Sequence, residues 1–514
     1  MQLYINNKTV DVLDSYLFPN AVRIQVQAIC NLQKINSQYF VRQKSFRKIV
    51  SYVQEIGLKN TIIKIISRMK EAARNEKYFS VGVGKVIESQ SLKFKLGQQV
   101  YFIASNHPAC AERLVIDENC VLPFDAAEKK FEPDEISWFE HDEMQSEWMP
   151  LLAWTRYSGS PFPFVDLKAE KIAELIFKNK KAITIQVDKT PISEIKVSKI
   201  KVGKVETKNG VLFGYGNYAK TIILPNLNKN IKLDTIHEID PAQLIPYKKN
   251  MQYDTSPLPR NNKQYDVYFI AGYHHSHADI AIEGLKNNAD VVIEKPIITT
   301  RDQLEKITHS MRNTAGELYS CFQRRYLHFN DYVFKDFKIN QGEPVSYYAV
   351  VYEEVLPDLH WYRWPNSRSA IISNGCHWID HFIFLNKFSP VEFCDVKKTR
   401  RGELIVYIEL ENTAVLSLTL SHLGSARIGM QDYIELRSVN STIKITNSKH
   451  FVSENESRVI RRAKINKFEA FKNMYRMISS NIVDKTAPRL SDSIERLNAV
   501  SSVILDLDKM VMDL

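Results

Sequence analysis

The sequence predicts an α/β protein with a doubly wound parallel sheet, followed by an α/β domain with an open, mostly antiparallel sheet and preceded by a small β-rich region. After residue 209, short aliphatic runs such as "YDVYFIAG" and "DVVIEKP" alternate with helical stretches, which is typical of parallel βαβ units. From about residue 344, longer alternating runs such as "PVSYYAVVYEEV" and "GELIVYIELEN" indicate antiparallel strands. Near the start, "VRIQVQAI" and "GQQVYFIA" predict short strands of a separate β domain.

These patterns divide the chain into four parts. A single hydrophobic core stops growing at about 250 to 300 residues, so a chain of 514 residues must form several domains. We expect a β domain with a helical insert at 42–75 over residues 1–125, an irregular connecting region over 126–208, a dinucleotide-binding domain over 209–325, and a substrate and oligomerisation domain over 326–514.

The composition favours a cytoplasmic protein that binds small anionic molecules. No run approaches the roughly 20 apolar residues that cross a bilayer, and the first residues lack the pattern of a signal peptide. The six cysteines form no CxxC pair, which favours reduced thiols over a disulfide framework or a zinc site. The net charge of +10 is not accompanied by a nucleic-acid-binding motif, so we expect no nucleic-acid partner. The apolar runs and the cysteines likewise lead us to expect no membrane span and no metal.

The stretch "VLFGYGNYAK" contains the pattern GxGxxA between a predicted strand and a predicted helix. Glycines at 214 and 216 allow a tight turn and let backbone amides approach a diphosphate at the start of the helix. We expect the turn, Gly214 to Tyr218, to bind a dinucleotide through Gly214, Tyr215, Gly216, Asn217 and Tyr218. An ordinary glycine turn is the alternative interpretation.

The second strand ends in "HEIDP", which places Glu238 about 22 residues after Gly216. A carboxylate at that point accepts hydrogen bonds from the adenosine ribose and repels a 2′-phosphate. NAD is therefore the expected cofactor, with NADP possible. A surface carboxylate in a turn is the alternative for Glu238.

Two later strands end in polar residues within "AGYHHSHADIAIEGLKNNADVVIEKP". In an open parallel sheet both strand ends face the same ligand crevice, so we expect cofactor contacts at Ala271, His275, Glu294 and Pro296. The histidines lack the cysteine or carboxylate that would complete a zinc site.

Five motifs follow one another along the chain: GxGxxA, the histidine loop, EKP, "CFQRRY" and "NGCHWIDHF". Their order resembles that of the glucose-fructose oxidoreductase/inositol dehydrogenase (Gfo/Idh/MocA) family, over about residues 209–514. The resemblance implies a Rossmann domain, a second domain with an open mixed sheet, and hydride transfer between nicotinamide and a carbinol carbon. It also implies that Lys295 is the acid or base and that His377 lines the same site. Many relatives have aspartate where this chain has Ser373, so a histidine–aspartate dyad is not expected here.

Lys295 at a strand end fits this chemistry. The hydroxyl proton must be removed as hydride leaves, so a base is needed within hydrogen-bond reach of that oxygen. Burial beside a cationic nicotinamide disfavours a charged lysine, which predicts a lowered pKa for Lys295. Pro296 fixes the backbone directly after the lysine. A surface lysine at a strand end and a buried structural histidine are the alternatives for Lys295 and His377.

Substrate contacts are expected between the two domains. "FQRRY" and "HWYRWP" offer Arg325, Tyr326, Arg363 and Trp364, and arginines there suit a carboxylate or diphosphate, as in nucleotide sugars. Core packing of the aromatics and surface pairing of the arginines are the alternatives.

The amino-terminal third is similar to a GroES-like domain of medium-chain alcohol dehydrogenases, although the expected Gly-His-Glu reads Ser80, Val81 and Gly82. This resemblance implies a degenerate module without zinc-dependent activity. We therefore expect a homo-oligomeric NAD(P)-dependent oxidoreductase for a sugar or nucleotide sugar, in surface polysaccharide biosynthesis. A siderophore-type imine reductase and a non-catalytic dinucleotide-binding scaffold are the alternatives.

Overall fold

The computed structural model describes most of the chain outside three long stretches. The described residues are 1–5, 8–35, 77–108, 110–124, 135–140, 183–186, 207–244, 251–259, 263–356, 361–363, 365–424, 429–465, 468–486 and 488–514, with single positions at 53, 58, 62, 172, 173 and 176. All but three positions of the expected helical insert at 42–75, and most of the connecting region at 126–208, lie outside these residues.

The amino-terminal part is a β module of two sheets. Its strands are β1 (Gln2–Ile5), β2 (Lys8–Asp11), β3 (Ala21–Ile35), β4 (Lys77–Ser89), β5 (Gln99–Pro108), β6 (Cys110–Ala111), β7 (Arg113–Asp117), β8 (Val121–Pro123), β9 (Glu135–Glu140) and β10 (Ile183–Gln186). One sheet has the order β2-β1-β6, and the other has the order β10-β9-β3-β4-β5-β8 with β7 paired to β3. This confirms the predicted β-rich start, whereas the GroES-like resemblance is not confirmed.

The second unit is a six-stranded parallel sheet. Its strands are β11 (Lys208–Phe213), β12 (Ile231–His237), β13 (Gln252–Asp254), β14 (Val267–Ile270), β15 (Asp290–Glu294) and β16 (Leu318–Cys321). The order β13-β12-β11-β14-β15-β16 means that the strand order reverses between β11 and β14, which is the doubly wound arrangement. The predicted parallel sheet is confirmed, and its ligand crevice lies at the carboxyl edge beside the reversal.

Two helices, α1 (His277–Lys286) and α2 (Arg301–Arg312), join β14 to β15 and β15 to β16. Their buried residues include Ala281 with Leu285 in α1 and Leu304 with Ile307 in α2, at the i, i+4 and i, i+3 spacings of an amphipathic helix. Thr300 caps α2 by accepting a hydrogen bond from the backbone N–H of Gln303. These helices cover one face of the sheet and hold the ends of β14 and β15 in place.

The third unit is an eight-stranded mixed sheet with helices on its inner face. Its strands are β17 (Ser346–Tyr352), β18 (Val391–Lys398), β19 (Leu404–Leu410), β20 (Val415–Ser421), β21 (Gln431–Ser438), β22 (Ser441–Thr446), β23 (His450–Asn455) and β24 (Val459–Lys464). Its order is β18-β19-β20-β17-β21-β22-β23-β24, and β17 with β20 is the parallel pair. The mostly antiparallel prediction is therefore confirmed.

Four helices complete this unit: α3 (Phe329–Phe337), α4 (Cys376–Leu385), α5 (Phe468–Val483) and α6 (Ile494–Asp513). A large apolar core joins α4 and α6 to the inner face of the mixed sheet and continues into α1 and β15 of the parallel sheet. Helix α5 instead packs on the other face of the parallel sheet, where Met474, Tyr475 and Ile478 are buried. The two sheets are therefore held together on both sides of the crevice.

Candidate active site

The glycine-rich turn follows β11. Gly214 has a φ of +93°, and a Cβ atom there would lie 2.4 Å from the carbonyl oxygen of Ala271, so this position requires glycine. A Cβ atom at Gly216 would meet nothing within 4 Å. The turn is thus tightly packed against β14 on one side and open in front of Gly216 on the other. That open cradle fits the diphosphate of a dinucleotide.

The helix after the turn differs from the expected regular helix. A π-helical turn at Ala219–Ile223 passes directly into a 3-10 turn at Leu224–Asn226. Pro225 accounts for the early end, since proline has no N–H to continue the helix. Asn217 at the start of this segment is exposed, and its carbonyl accepts a hydrogen bond from the Thr221 hydroxyl.

Glu238 follows β12 and braces the turn. Its carboxylate accepts hydrogen bonds from the backbone N–H groups of Tyr215, at 2.7 Å, and Asp240, at 2.9 Å. In a doubly wound sheet, the carboxylate that ends the second strand faces the adenosine ribose of the dinucleotide. The residues present therefore fit NAD, although the N–H of Tyr215 serves the protein and not the diphosphate.

Lys295 lies at the end of β15, where the two sheets meet. Its ammonium group donates a hydrogen bond of 2.7 Å to the carbonyl oxygen of Ser373 and lies 5.5 Å from the centre of the Tyr362 ring. Ser373 belongs to a π-helical turn, Ile371–Gly375, that precedes α4. The peptide bond between Lys295 and Pro296 is cis. One strand end and one helix start thus fix the lysine from both sides.

The neighbours of Lys295 in the protein act against the effect of its burial. Burial lowers its pKa, but Tyr362, Cys376 and Glu294 together outweigh burial and raise the pKa above the ordinary lysine value. The expectation of a lowered pKa concerns Lys295 beside a bound cationic nicotinamide and stays a prediction. Its neighbours stabilise the ammonium form, so Lys295 carries a proton at neutral pH.

His377 lies in the first turn of α4 and is a neutral imidazole. Burial lowers its pKa well below the ordinary value, and Lys295 and Arg324 lower it further. The side chain is 7% exposed, and its buried Nδ1 has no hydrogen-bond partner in the protein. A buried ring nitrogen without a partner is costly unless a bound molecule completes it. His377 is therefore available to a substrate oxygen.

Glu294 contacts the protein's own hydroxyl groups. Its carboxylate accepts hydrogen bonds from Tyr218, at 2.9 Å, and from Tyr475 of α5, at 2.6 Å. Burial raises the pKa of Glu294, while the two hydroxyls and Lys295 oppose that rise. The structure thus uses Glu294 and Tyr218 to tie the glycine-rich turn, β15 and α5 together.

The three histidines in the loop after β14 have different surroundings. His277 is buried with its ring nitrogens 2.9 Å from the Pro296 carbonyl oxygen and 3.1 Å from that of Gly272, so it joins the ends of β14 and β15. His274 lies between the rings of Trp361 and Tyr362, with 4.6 and 4.8 Å between ring centres. The half-buried His275 stacks on Tyr273, with the ring planes 14° apart.

Arg325 does not have the role expected of it. Its guanidinium forms ion pairs with Asp380 of α4, at 2.5 Å, and with Asp492, at 2.7 Å. Both carboxylates are buried, so the donors of Arg325 serve the fold and are not offered to a substrate. Asp380 accordingly forms an ion pair here. Tyr326 packs against the cluster on the α5 face of the parallel sheet.

Arg363 and Trp364 stay predictions. Trp364 lies outside the described residues, and for Arg363 the structure describes the backbone of a short helical turn but not the side chain.

Sequence patterns did not identify two polar residues of the site, Glu353 and Asn374. Glu353 directly follows β17, is 7% exposed and accepts a hydrogen bond of 2.5 Å from the Asn374 amide. Burial raises the pKa of Glu353, although Asn374, His422 and Lys295 lower it. The one available signal was the polar pair "EE" at the end of an otherwise apolar strand.

Across the described part of the chain, no group of three or more histidine, cysteine, aspartate or glutamate side chains is placed to hold a metal ion. Within the same residues, no helix is both long enough and apolar enough to cross a membrane.

The chain is similar to known proteins in one family model and in its fold. Residues 208–320 match the model of the "Oxidoreductase family, NAD-binding Rossmann fold" (Gfo/Idh/MocA). The chain shares its fold with a dehydrogenase from Chromobacterium violaceum, at 14% identity and a TM-score of 0.50, over 60% of this chain and 95% of that one. The WlbA dehydrogenase from Bordetella pertussis, solved with NADH and UDP-GlcNAcA, aligns at 15% identity and a TM-score of 0.48, over 60% of this chain and 97% of that one. No curated protein matches the sequence significantly.

The matched residues include Gly216, Glu238 and Lys295. Residues 208–320 of the chain are therefore similar to the NAD-binding Rossmann domain of the Gfo/Idh/MocA oxidoreductases.

Proposed function

We propose that this oxidoreductase transfers a hydride between NAD and a carbinol or carbonyl carbon of a sugar or nucleotide sugar. The observation that carries the proposal is the pairing of a charged Lys295 with a neutral His377 whose Nδ1 has no partner, at the crevice between the two sheets. Bound NAD supplies or accepts the hydride. The protein's own residues hold the substrate oxygen and manage its proton.

Lys295 is the proposed proton donor in reduction and the acceptor in oxidation. Its ammonium form matches the donor role, since a carbonyl oxygen that gains negative charge needs a proton at that moment. His377 remains neutral, so its Nδ1 accepts from a substrate hydroxyl or, in the other tautomer, donates to a substrate oxygen. The two side chains together hold one oxygen atom in a fixed position.

The walls of the site suit a sugar ring. Trp361 lies 5.2 Å from Tyr273 and 4.3 Å from Tyr362 between ring centres, which forms an aromatic wall beside Lys295. Aromatic faces pack against the apolar C–H face of a sugar, whereas Glu353 and Asn374 offer an acceptor and a donor to its hydroxyls. Surface polysaccharide biosynthesis remains the pathway we predict from the sequence.

A panel of substrates tests this proposal. We expect NADH oxidation with a keto sugar or nucleotide sugar, and a Glu353→Gln variant should raise KM for that substrate by about 10-fold, the value of one charge-assisted hydrogen bond. Initial rates and NADH affinity are measured for each protein.

Glu354→Gln, which changes the adjacent carboxylate, is the matched control and should keep the parental KM. Turnover of a cyclic imine with all sugars inert would replace the proposal with imine reduction. NADH binding without turnover of any panel member would indicate a scaffold.

We also propose that two copies of the chain pair through the outer face of the mixed sheet. This outer sheet face consists of the exposed residues Tyr348, Val350, Phe393, Ile405, Tyr407 and Tyr433. Val350 faces Tyr433 across β17 and β21, and the small polar residues Ser417 and Thr419 of β20 separate this pair from the apolar residues of β19. Glu435 with Arg437 gives the face both charges. A patch with both charges can complement itself about a two-fold axis.

A Val350→Lys/Tyr433→Lys double variant should halve the molar mass measured by light scattering, because lysines of the two copies would meet at the interface. Val439→Lys changes an equally apolar residue that is 94% exposed at a hairpin outside this face, and it should leave the mass unchanged. A parental protein that is already a monomer, or a double variant of unchanged mass, would contradict the pairing.

A further inference from the structure

A short segment of the amino-terminal β module lies on the parallel sheet. The Thr255 hydroxyl, just after β13, donates a hydrogen bond of 2.7 Å to the carbonyl oxygen of Asp14. Leu13 packs against the apolar cluster of the parallel sheet, which includes Tyr215 of the glycine-rich turn and Leu244. We name residues 12–14 the bridging segment. It leaves the module and contacts the carboxyl edge of β12 and β13.

The module holds the bridging segment rigidly. The Asp14 carboxylate forms ion pairs with Arg23 of β3, at 3.4 Å, and with Arg113 of β7, at 3.3 Å. Val12 is 3% exposed and belongs to the module's own apolar core. Leu13 therefore projects towards the sheet from a backbone that is fixed on both sides.

The parallel sheet reaches back into the module at the same place. After Glu238 the chain makes a turn at Pro241–Leu244, and Ala242 of this turn is part of the module's core. The backbone N–H of Asp240, at the start of the turn, donates to the Glu238 carboxylate, which in turn accepts from Tyr215. Module, turn and Glu238 therefore form one connected unit.

This junction coincides with the adenosine half of a dinucleotide site. In a doubly wound sheet one mononucleotide half lies over the first three strands, here β11 to β13, and the ribose carboxylate ends the second of them. Glu238 is that carboxylate, and its backbone N–H donates 2.9 Å to the carbonyl oxygen of Asp254, the residue before Thr255. The bridging segment thus bonds Thr255, whose neighbour Asp254 accepts a hydrogen bond from the backbone of Glu238.

We infer that the amino-terminal module forms part of the NAD site, with Leu13 and Thr255 shaping the pocket for the adenosine half. The inference rests on the NAD assignment and extends it to a part of the chain outside the matched family residues. The ligand fragment that this pocket recognises is ADP-ribose, whereas the nicotinamide half is left to β14 and β15.

Leu13→Ala and Thr255→Val in the full-length protein test the inference. Each removes one contact of the bridging segment without adding charge, so affinity for ADP-ribose and for NADH should fall by the same factor, about 3- to 10-fold. Affinity for reduced nicotinamide mononucleotide should not change. All three are measured by fluorescence titration or by competition against NADH.

Val10→Ala is the matched control, because Val10 lies in β2 and packs on the module's own core. It should leave all three affinities unchanged, and thermal unfolding shows that each variant is folded. The inference is overturned if both bridging variants bind ADP-ribose as tightly as the parental protein does. It is also overturned if their affinity for reduced nicotinamide mononucleotide falls by the same factor as their affinity for ADP-ribose. A parental protein that binds neither NADH nor ADP-ribose would overturn the NAD assignment instead.

Discussion

A Gly216→Asp variant should fold like the parental protein and bind NADH about 5- to 1000-fold more weakly. The added Cβ meets nothing within 4 Å, so the substitution introduces no steric strain. It does place a carboxylate in the cradle where a diphosphate would lie. Two like charges about 4 Å apart repel by roughly 1 to 4 kcal/mol near a protein surface, which corresponds to that loss of affinity.

Gly216→Asn separates charge from size, because asparagine has the same shape and no charge. We expect it to weaken NADH binding far less than aspartate does. The measurement is a fluorescence titration with NADH, alongside thermal unfolding of all three proteins. Equal NADH affinity in the parental and aspartate proteins would show that the diphosphate does not lie at this turn.

A Lys295→Met variant should lose about 100- to 10,000-fold in kcat while keeping its affinity for NADH, since general acid–base groups contribute rate enhancements of that size. Methionine keeps the length of the side chain but cannot carry a proton. NADH affinity should survive because the glycine-rich turn and Glu238 are unchanged.

The pH dependence of Lys295 follows from its raised pKa. The ammonium form persists through neutral pH, so the rate of carbonyl reduction should be flat there and should fall only as the pH rises past the ordinary lysine range. The residual rate of Lys295→Met should lack this alkaline decline. Parental kcat in the variant, or an unchanged alkaline decline, would assign the proton transfer to another group.

Local sequence patterns predicted the parallel sheet and the position of its crevice. The strands end at Phe213, His237, Ile270 and Glu294, each within one or two residues of the end that a buried run predicted. Parallel strands place their carboxyl ends at one edge, so these local signals also predicted which residues would come together. Periodicity likewise indicated the mixed sheet.

Contacts between distant residues could not be predicted in this way. Arg325 meets Asp380 and Asp492, which are 55 and 167 positions further along the chain, so its local neighbours "QRRY" gave no sign of the pairing. The charge of Lys295 depends on Tyr362 and Cys376, which only the packing of the two sheets brings near. Such effects depend on tertiary packing, which a local motif does not specify.

The contact between Glu294 and Tyr475 affects how much of a nascent chain must be synthesised before this part of the structure can form. The two residues are 181 positions apart, and Tyr475 lies in the penultimate helix. A ribosome releases the parallel sheet first and α5 much later, so a nascent chain can join the glycine-rich turn to β15 through Tyr218 before the second hydroxyl, from Tyr475, exists. Until α5 has been synthesised, the buried Glu294 carboxylate therefore has only one of its two hydroxyl donors.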